Sequence, residues 1–213
     1  MKNIITITTI LFLIFACSKP GTSDLEQAKL FMSGDSLTSP DTTRAIALFT
    51  DAAEAGNGEA MYYLAYYNQY GIAVEKSSEK ALDWYQRSAD AGYPRAQNKM
   101  GMIYYSGNGA EQDYDQANAW FMKSAKQGYD QAQYMLGKVY SIGRGVEPDT
   151  AKAIKWLKKA VTGGHPYPEF LLGKLLYETA SSPEEIEEAR IWVKKSADKG
   201  VGHAKELLEE IDS

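Results

Sequence analysis

The sequence predicts an all-α fold, an α/α superhelical solenoid of about four to five 36-residue helix-turn-helix repeats. Three observations carry this reading. Gly56, Gly92, Gly128, Gly164 and Gly200 stand at a constant step of 36 residues. Ala45, Ala81, Ala117, Ala153 and Ala189 keep the same step, and so do Trp84, Trp120, Trp156 and Trp192, which are all the tryptophans in the chain. The register holds without insertion from Ala45 to Leu208. A period in the thirties with Ala, Gly and aromatic punctuation marks a stack of helix pairs in which each pair covers its neighbour.

The first 17 residues read differently. Met1-Lys2-Asn3 supplies one positive charge, Ile4 to Phe15 forms an apolar run, and small Ala16 precedes Cys17. This is the layout of a secretory signal. At about 1.5 Å per residue the apolar run spans roughly 18 Å as a helix, short of the roughly 30 Å hydrocarbon core. Ile14-Phe15-Ala16-Cys17 resembles the bacterial lipobox, in which the cysteine is acylated and becomes the new amino terminus. Bulky Phe15 departs from the usual pattern. Residues 1–17 are therefore expected to be a lipoprotein signal peptide with Cys17 the lipidation site. Residues 18–23, polar with Pro20 and Gly21, suit a flexible tether. Ser18 just after the cysteine resembles the outer-membrane sorting pattern of enteric-type lipoproteins, so the expected location is an exported protein anchored in the outer membrane and facing the periplasm.

Residues 24–41 read as a degenerate N-terminal helix, Asp24 to Ser33, with a loop through Ser39-Pro40. Residues 42–213 form the expected solenoid, closed by a capping helix from His203 to Ile211 whose Glu206, Glu209 and Glu210 give the open end a polar face. Within one period, Ala81, Trp84, Tyr85, Ser88 and Ala89 fall on one face at i, i+3, i+4, i+7, i+8 spacing and define a helix B buried along one stripe. It stops at Gly92, a residue that adopts the left-handed conformation cheaply. Helix A starts near Pro94 or Pro166, where the missing N–H costs nothing. Its Ala96, Met100, Gly101 and Tyr104 share one side, the small residue admitting helix B while Trp120 fills the space beside it. Gly107-Asn108-Gly109 and Gly143-Arg144-Gly145 turn the chain from A to B, and Ser182-Pro183-Glu184-Glu185 reads as a capping box.

Composition narrows the function classes. The segment from Ser18 onward holds 22 basic and 28 acidic residues, a net charge of −6. Nucleic acid is an unsuitable partner, because its phosphates need a basic stripe. With Cys17 the sole cysteine there is no internal disulfide and no cysteine-based zinc site. His165 and His203, the two histidines, each stand at the start of a helix A with no cysteine or carboxylate cluster alongside. They read as helix-end residues, so no catalytic residue, metal or cofactor is assigned and the chain is not expected to be an enzyme. The Gly-x-Gly segments lack the preceding strand and following Lys-Ser/Thr of a phosphate loop.

The pattern Ala132-Gln133-Tyr134-Met135-Leu136-Gly137, Tyr140, Gly143, Gly145-Val146, Asp149, Ala153, Trp156, Ala160 and Gly164 resembles the Sel-one-like repeat (SLR), a relative of the tetratricopeptide repeat. The resemblance covers Ala45 to about Leu208. Three places depart from it: Ala73 replaces the second turn glycine, Pro168 replaces the helix A alanine, and Thr179 to Ser182 lacks the Gly-x-Gly turn, which implies a different bend or a looser join.

The resemblance implies a right-handed superhelix whose A helices line a concave face, and a role as a monomeric adaptor for a protein or peptide partner in the cell envelope. The residues that would face the partner are Tyr62, Tyr66 and Tyr70, then Asn98, Met102 and Tyr105, then Tyr134 and Lys138, then Phe170, Lys174 and Tyr177. Tyrosine joins a large contact area to a hydroxyl at low entropic cost and marks binding surfaces. The bland alternative is that Tyr62 and Tyr134 in particular pack between adjacent A helices. Two rival functions remain at this level. One is a carbohydrate- or peptidoglycan-binding envelope protein, which stacked tyrosines would serve equally well. The other is a β-lactam-handling enzyme, as discussed for cysteine-rich SLR relatives, whose repeat disulfides this chain cannot form.

Overall fold

A computed structural model describes residues 21–33 and 41–213. Cys17, the signal, most of the tether and the Ser39-Pro40 loop lie outside the described residues. Those described form eleven α-helices and one 3-10 turn, with no strand among them. The chain divides into two compact units, Met1–Ala96 and Gln97–Ser213.

In the first unit, α1 (Thr22–Ser33), α2 (Thr42–Glu54), α3 (Gly58–Tyr70) and α4 (Ser78–Asp90) pack each on the next. Helix α1 starts at Thr22, inside the segment read as a tether. It buries Leu25 and Ala28 against Ala45, Phe49 and Ala52 of α2, and Lys29 pairs with Glu59 of α3 at 2.9 Å. The boundary falls within α5 (Pro94–Ser106).

In the second unit, α6 (Tyr114–Lys126), α7 (Asp130–Ile142), α8 (Thr150–Ala160), α9 (Pro166–Thr179), α10 (Pro183–Asp198) and α11 (Gly202–Ile211) again pack in sequence order. Helices α2, α4, α6, α8 and α10 are the B helices of the repeat. Helices α3, α5, α7 and α9 are its A helices, with α11 in the A position at the end.

Both ends of the B helices are set by local chemistry. Asp41, Ser77, Asp113 and Asp149 share one register position, and each side chain accepts the N–H three residues on, at 3.0, 3.2, 2.9 and 2.8 Å. Such caps are each worth about 1 kcal/mol. In α10 Ser182 accepts the Glu185 N–H at 3.3 Å, while Glu185 Oε2 accepts from the Ser181 N–H and hydroxyl at 2.6 and 2.9 Å. The reciprocal bond therefore reaches one residue earlier than in a capping box, and it holds the Glu185 carboxyl below the ordinary carboxylate range.

At the other end, Gly56, Gly92, Gly128 and Gly200 have φ between 87° and 91°. Their N–H groups donate three residues back, and the next residue's N–H donates five residues back, as Tyr93 does to Ser88 at 3.1 Å. This is the Schellman closure. A Cβ at these glycines would meet nothing within 4 Å, so the residue is required by backbone conformation and not by space. The copy at Gly164 differs, because α8 stops at Ala160 and a 3-10 turn, Val161–Gly163, intervenes.

The core is built on a second small-residue column. A Cβ on Gly101 would lie 2.5 Å from Phe121 Cδ1, one on Gly137 2.6 Å from Leu157 Cγ, and one on Gly173 2.6 Å from Val193 Cγ2. Phe121, Leu157 and Val193 are fully buried, as are Phe49 and all but a trace of Tyr85 in the same B-helix column. The side chain that a methyl group on Gly101 would strike is Phe121, and Trp120 beside it in the chain is also buried. Trp84, Trp156 and Trp192 are half-buried, and each tryptophan lies under a cation three residues on: Arg87, Lys123, Lys159 and Lys195, at 4.0, 3.8, 4.6 and 4.1 Å. The indoles of Trp84, Trp156 and Trp192 edge the core, that of Trp120 is buried in it, and all four are roofed by charge.

Buried serines complete the A-to-B contact. Ser88 and Ser196 donate to the carbonyls of Gly58 and Pro166, the first residues of the preceding A helices, at 2.5 and 2.8 Å. The last repeat keeps this bond and its glycine contact although its turn is different. Helix α9 runs 14 residues to Thr179, and Ala180 is extended at φ −62°, ψ 134°. The bend changes as expected, and α9 and α10 remain closely packed.

Ala73 stands where the other A-to-B turns have Gly109 and Gly145, and it holds φ 59°. An L-residue pays about 1–2 kcal/mol for that region, partly offset by the lower chain entropy of alanine. Ala73→Gly should raise the unfolding free energy by about 0.5–1 kcal/mol in urea denaturation, and Ala73→Val should lower it. Equal midpoints for all three proteins would show the turn to be unstrained.

Candidate functional site

The residues expected to face a partner divide into three environments. In the first unit Tyr62 is half-buried in an aromatic cluster, with ring centroids 5.4 Å from Tyr85 and 5.6 Å from Tyr93, and the Arg95 guanidinium 5.0 Å over its ring. The same cluster buries Tyr67, whose phenol desolvation pushes up to about 12, and Tyr85, raised further by burial and donating to Gln69 at 2.8 Å. Tyr66 and Tyr70 continue it to the surface, Tyr66 edge-on to Tyr67 at 5.9 Å, and they are 38% and 57% exposed with centroids 4.6 Å apart. Here the ladder of one residue per turn separates into a packing tyrosine and an exposed pair.

In the second unit α5, α7 and α9 enclose a cavity of about 290 Å³. Three of the expected residues line it: Asn98 and Met102 from α5, and Tyr134 from α7. Met102 is 39% exposed, Tyr134 is half-buried, and burial with the neighbouring Tyr167 raises its phenol. Asn98 is 8% exposed, and its Oδ1 is buried with no donor among the described residues. Met135 and Pro168 supply further apolar wall, and Asp130, His165 and Tyr167 form the edge. Sequence reasoning missed this edge because those residues occupy the first turns of A helices and fall off the i, i+4, i+8 ladder. Pro168, noted only as a departure from the repeat, is part of the wall.

The remaining expected residues do not join the cavity. Tyr105 is half-buried against Tyr114 and Phe121, at 5.5 and 6.2 Å, and its hydroxyl accepts from Arg144 Nη1 at 3.1 Å. That arginine comes from the Gly143-Arg144-Gly145 turn, whose backbone carbonyl also takes the Asn118 amide at 2.9 Å. Lys138 is half-buried. Phe170 packs on the Val193, Ala197 and Ala204 cluster near His203. Lys174 is exposed and pairs with Glu178 at 3.7 Å, and Tyr177 is half-buried. His165 Nε2 lies 3.8 Å from Asp130 and His203 Nδ1 3.2 Å from Glu206, both at exposed helix starts.

Helix pairs in register and a seam of small residues between them define a helical repeat protein. Sel1 repeats match residues 28–57, 58–93, 94–129, 130–165 and 169–201, and the chain belongs to the Sel1 repeat family. Proteins of this family generally act as scaffolds for protein-protein interaction, on a fold that is generally non-enzymatic. The chain is similar to a protective antigen of uropathogenic Escherichia coli that displays an SLR fold, with 28% identity and a TM-score of 0.78, covering 96% of this chain and 44% of that one. It is also similar to a Sel1 repeat protein of Oxalobacter formigenes, with 29% identity and a TM-score of 0.77, covering 97% and 60%. A Sel1 repeat protein of Klebsiella pneumoniae shares the fold at 18% identity and a TM-score of 0.51, covering 91% and 100%. The chain thus spans about half the length of the first two. No curated protein sequence matches it significantly.

The two tyrosine environments are separable by mutation. Tyr62→Ala should cost about 2–4 kcal/mol in chemical denaturation, because it opens the aromatic cluster. Tyr66→Ala and Tyr70→Ala should each stay within about 1 kcal/mol. A large loss at Tyr66 would make it a packing residue.

Proposed function

We propose that this chain is a partner-binding scaffold, tethered to a bacterial envelope through acylated Cys17, that takes a protein or peptide partner on the free faces of its A helices. The observation that carries the reading is the cavity on α5, α7 and α9. The B helices spend their apolar stripe on the glycine seam, so the repeat has one face left for a ligand. On that face Asn98, Met102 and Tyr134 converge on unfilled space. The exposed Tyr66 and Tyr70 pair offers a second contact surface in the first unit.

The tether rests on the sequence of residues 1–17 and on the lipobox resemblance of Ile14 to Cys17. Two or more acyl chains would hold the protein stably, since each buried methylene contributes about 0.8 kcal/mol and one chain is marginal. Outer-membrane sorting is the reading that Ser18 supports.

A single experiment covers both halves. Cells expressing the full chain are fed an alkyne-bearing palmitate analogue, and the detergent-solubilised protein is used for affinity capture of envelope proteins. The wild type should carry the label and Cys17→Ser should not. Met102→Glu should lower recovery of the captured protein at least about tenfold with unchanged helical circular dichroism, because a carboxylate would be buried unpaired at the contact. An unlabelled wild type would remove the tether, and equal recovery with Met102→Glu would remove the A-helix face. Retention on peptidoglycan in place of any protein would favour carbohydrate binding through Tyr66 and Tyr70.

A further inference from the structure

We infer that Arg144, held between the phenols of Tyr105 and Tyr114, is a contact for a carboxylate side chain of the partner polypeptide, an inference that rests on the partner-binding reading above. The guanidinium carbon lies 5.3 Å from the Tyr105 ring centroid and 5.8 Å from that of Tyr114, and Nη1 donates to the Tyr105 hydroxyl at 3.1 Å. The two rings meet edge to face at 5.5 Å. The turn that carries the arginine is fixed as well. Its carbonyl takes the Asn118 amide at 2.9 Å, and Gly145 approaches Tyr114 so closely that a Cβ there would stand 2.6 Å from the tyrosine Cβ. Turn geometry does not ask for the charge, since Ile72 and Asn108 occupy the same position in the two turns before it.

These contacts order a long side chain without neutralising it. Arg144 is exposed and forms no ion pair with a carboxylate among the described residues. One guanidinium N–H is spent on Tyr105. The others are left for a ligand, and their planar fork matches a carboxylate through parallel bonds. Exposed ion pairs are usually weak, because long side chains must be ordered to form them and water screens the charges. Here the arginine is ordered in advance, and a docked chain would exclude the water. A phosphate polymer or an anionic membrane surface needs several cations together, and the chain from Ser18 onward has a net charge of −6, so a single carboxylate is the anion that fits. The arginine also adjoins the cavity. Tyr105 lies close enough to Tyr134, in the cavity wall, to add to the effect of burial and of Tyr167 on its phenol. A partner residue seated between α5, α7 and α9 would thus bring a neighbouring acidic residue towards Arg144.

The test uses the full chain in detergent micelles, screened against a display library of short random linear peptides. The net negative charge of the chain by itself would select basic peptides. The Arg144 site instead requires an Asp or Glu fixed at one position of the enriched set. Changing that residue to its amide in a synthetic peptide should weaken binding to the wild type by about tenfold or more, measured by fluorescence anisotropy, since hydrogen bonds to charged groups contribute at that level. Arg144→Gln, an exposed substitution that should leave the helical circular dichroism unchanged, should bind the acid and amide peptides about equally. Enriched peptides without an acidic residue, or the same acid-to-amide ratio in the wild type and Arg144→Gln, would overturn the site while leaving the partner-binding reading in place. A library that yields no enriched peptide at all would sink both.

Discussion

The contact on which everything else depends is the approach of a B helix onto a small residue of the A helix before it, Ala65 under α4 and glycine under α6, α8 and α10. Gly101, Gly137 and Gly173 face Phe121, Leu157 and Val193, twenty residues on in each case. Interiors packed to crystal density leave no room for a methyl group there. Close approach brings the B helix near enough for Ser88 and Ser196 to bond the first carbonyl of the A helix, so a buried hydroxyl and a helix-terminal backbone group satisfy each other. Ser88 makes its bond in the pair whose small residue is Ala65, and Ser196 in the pair whose small residue is Gly173, so a small residue at this position goes with the close approach in both.

This seam also decides where function can reside. Each B helix turns its apolar stripe to the seam and its charged face outward, with tryptophans roofed by Arg87, Lys123, Lys159 and Lys195. The A helices are held at one side and at both ends, by Schellman closures before them and by capped turns after them. Their remaining face carries Tyr66 and Tyr70 in one unit and the Asn98 cavity in the other. The cavity shares Met135 and Tyr134 with the core of its unit, while Met102, Asp130 and Tyr167 line it from outside that cluster.

Much of the fold was legible because its determinants are local and periodic. The glycines at 36-residue spacing are required by backbone dihedrals, and the cap residues by unpaired N–H groups, so both appear as columns. The tryptophan column packs against the core with Trp120 buried, while the central column of Phe, Tyr, Leu and Val varies chemically, so that only its Tyr85 stood out on the buried stripe. The candidate site was only half legible. Asn98, Met102 and Tyr134 lie on the helix ladder and were found, whereas Asp130 and Tyr167 reach the cavity from helix starts, through tertiary placement that no spacing rule encodes. Tyr62 and Tyr66, four residues apart on one helix, separate because Tyr85 and Tyr93 arrive from other segments to bury the first alone.

The seam can be measured directly by a double-mutant cycle on Gly137 and Leu157, read as unfolding free energies. Gly137→Ala alone should cost about 1–3 kcal/mol through overpacking, and Leu157→Ala alone about 2–5 kcal/mol through the cavity it leaves. If the leucine is what the added methyl group strikes, the double variant should be more stable than the sum of the two by about 1 kcal/mol or more. Strict additivity would contradict the account, placing the constraint on Gly137 somewhere other than this contact.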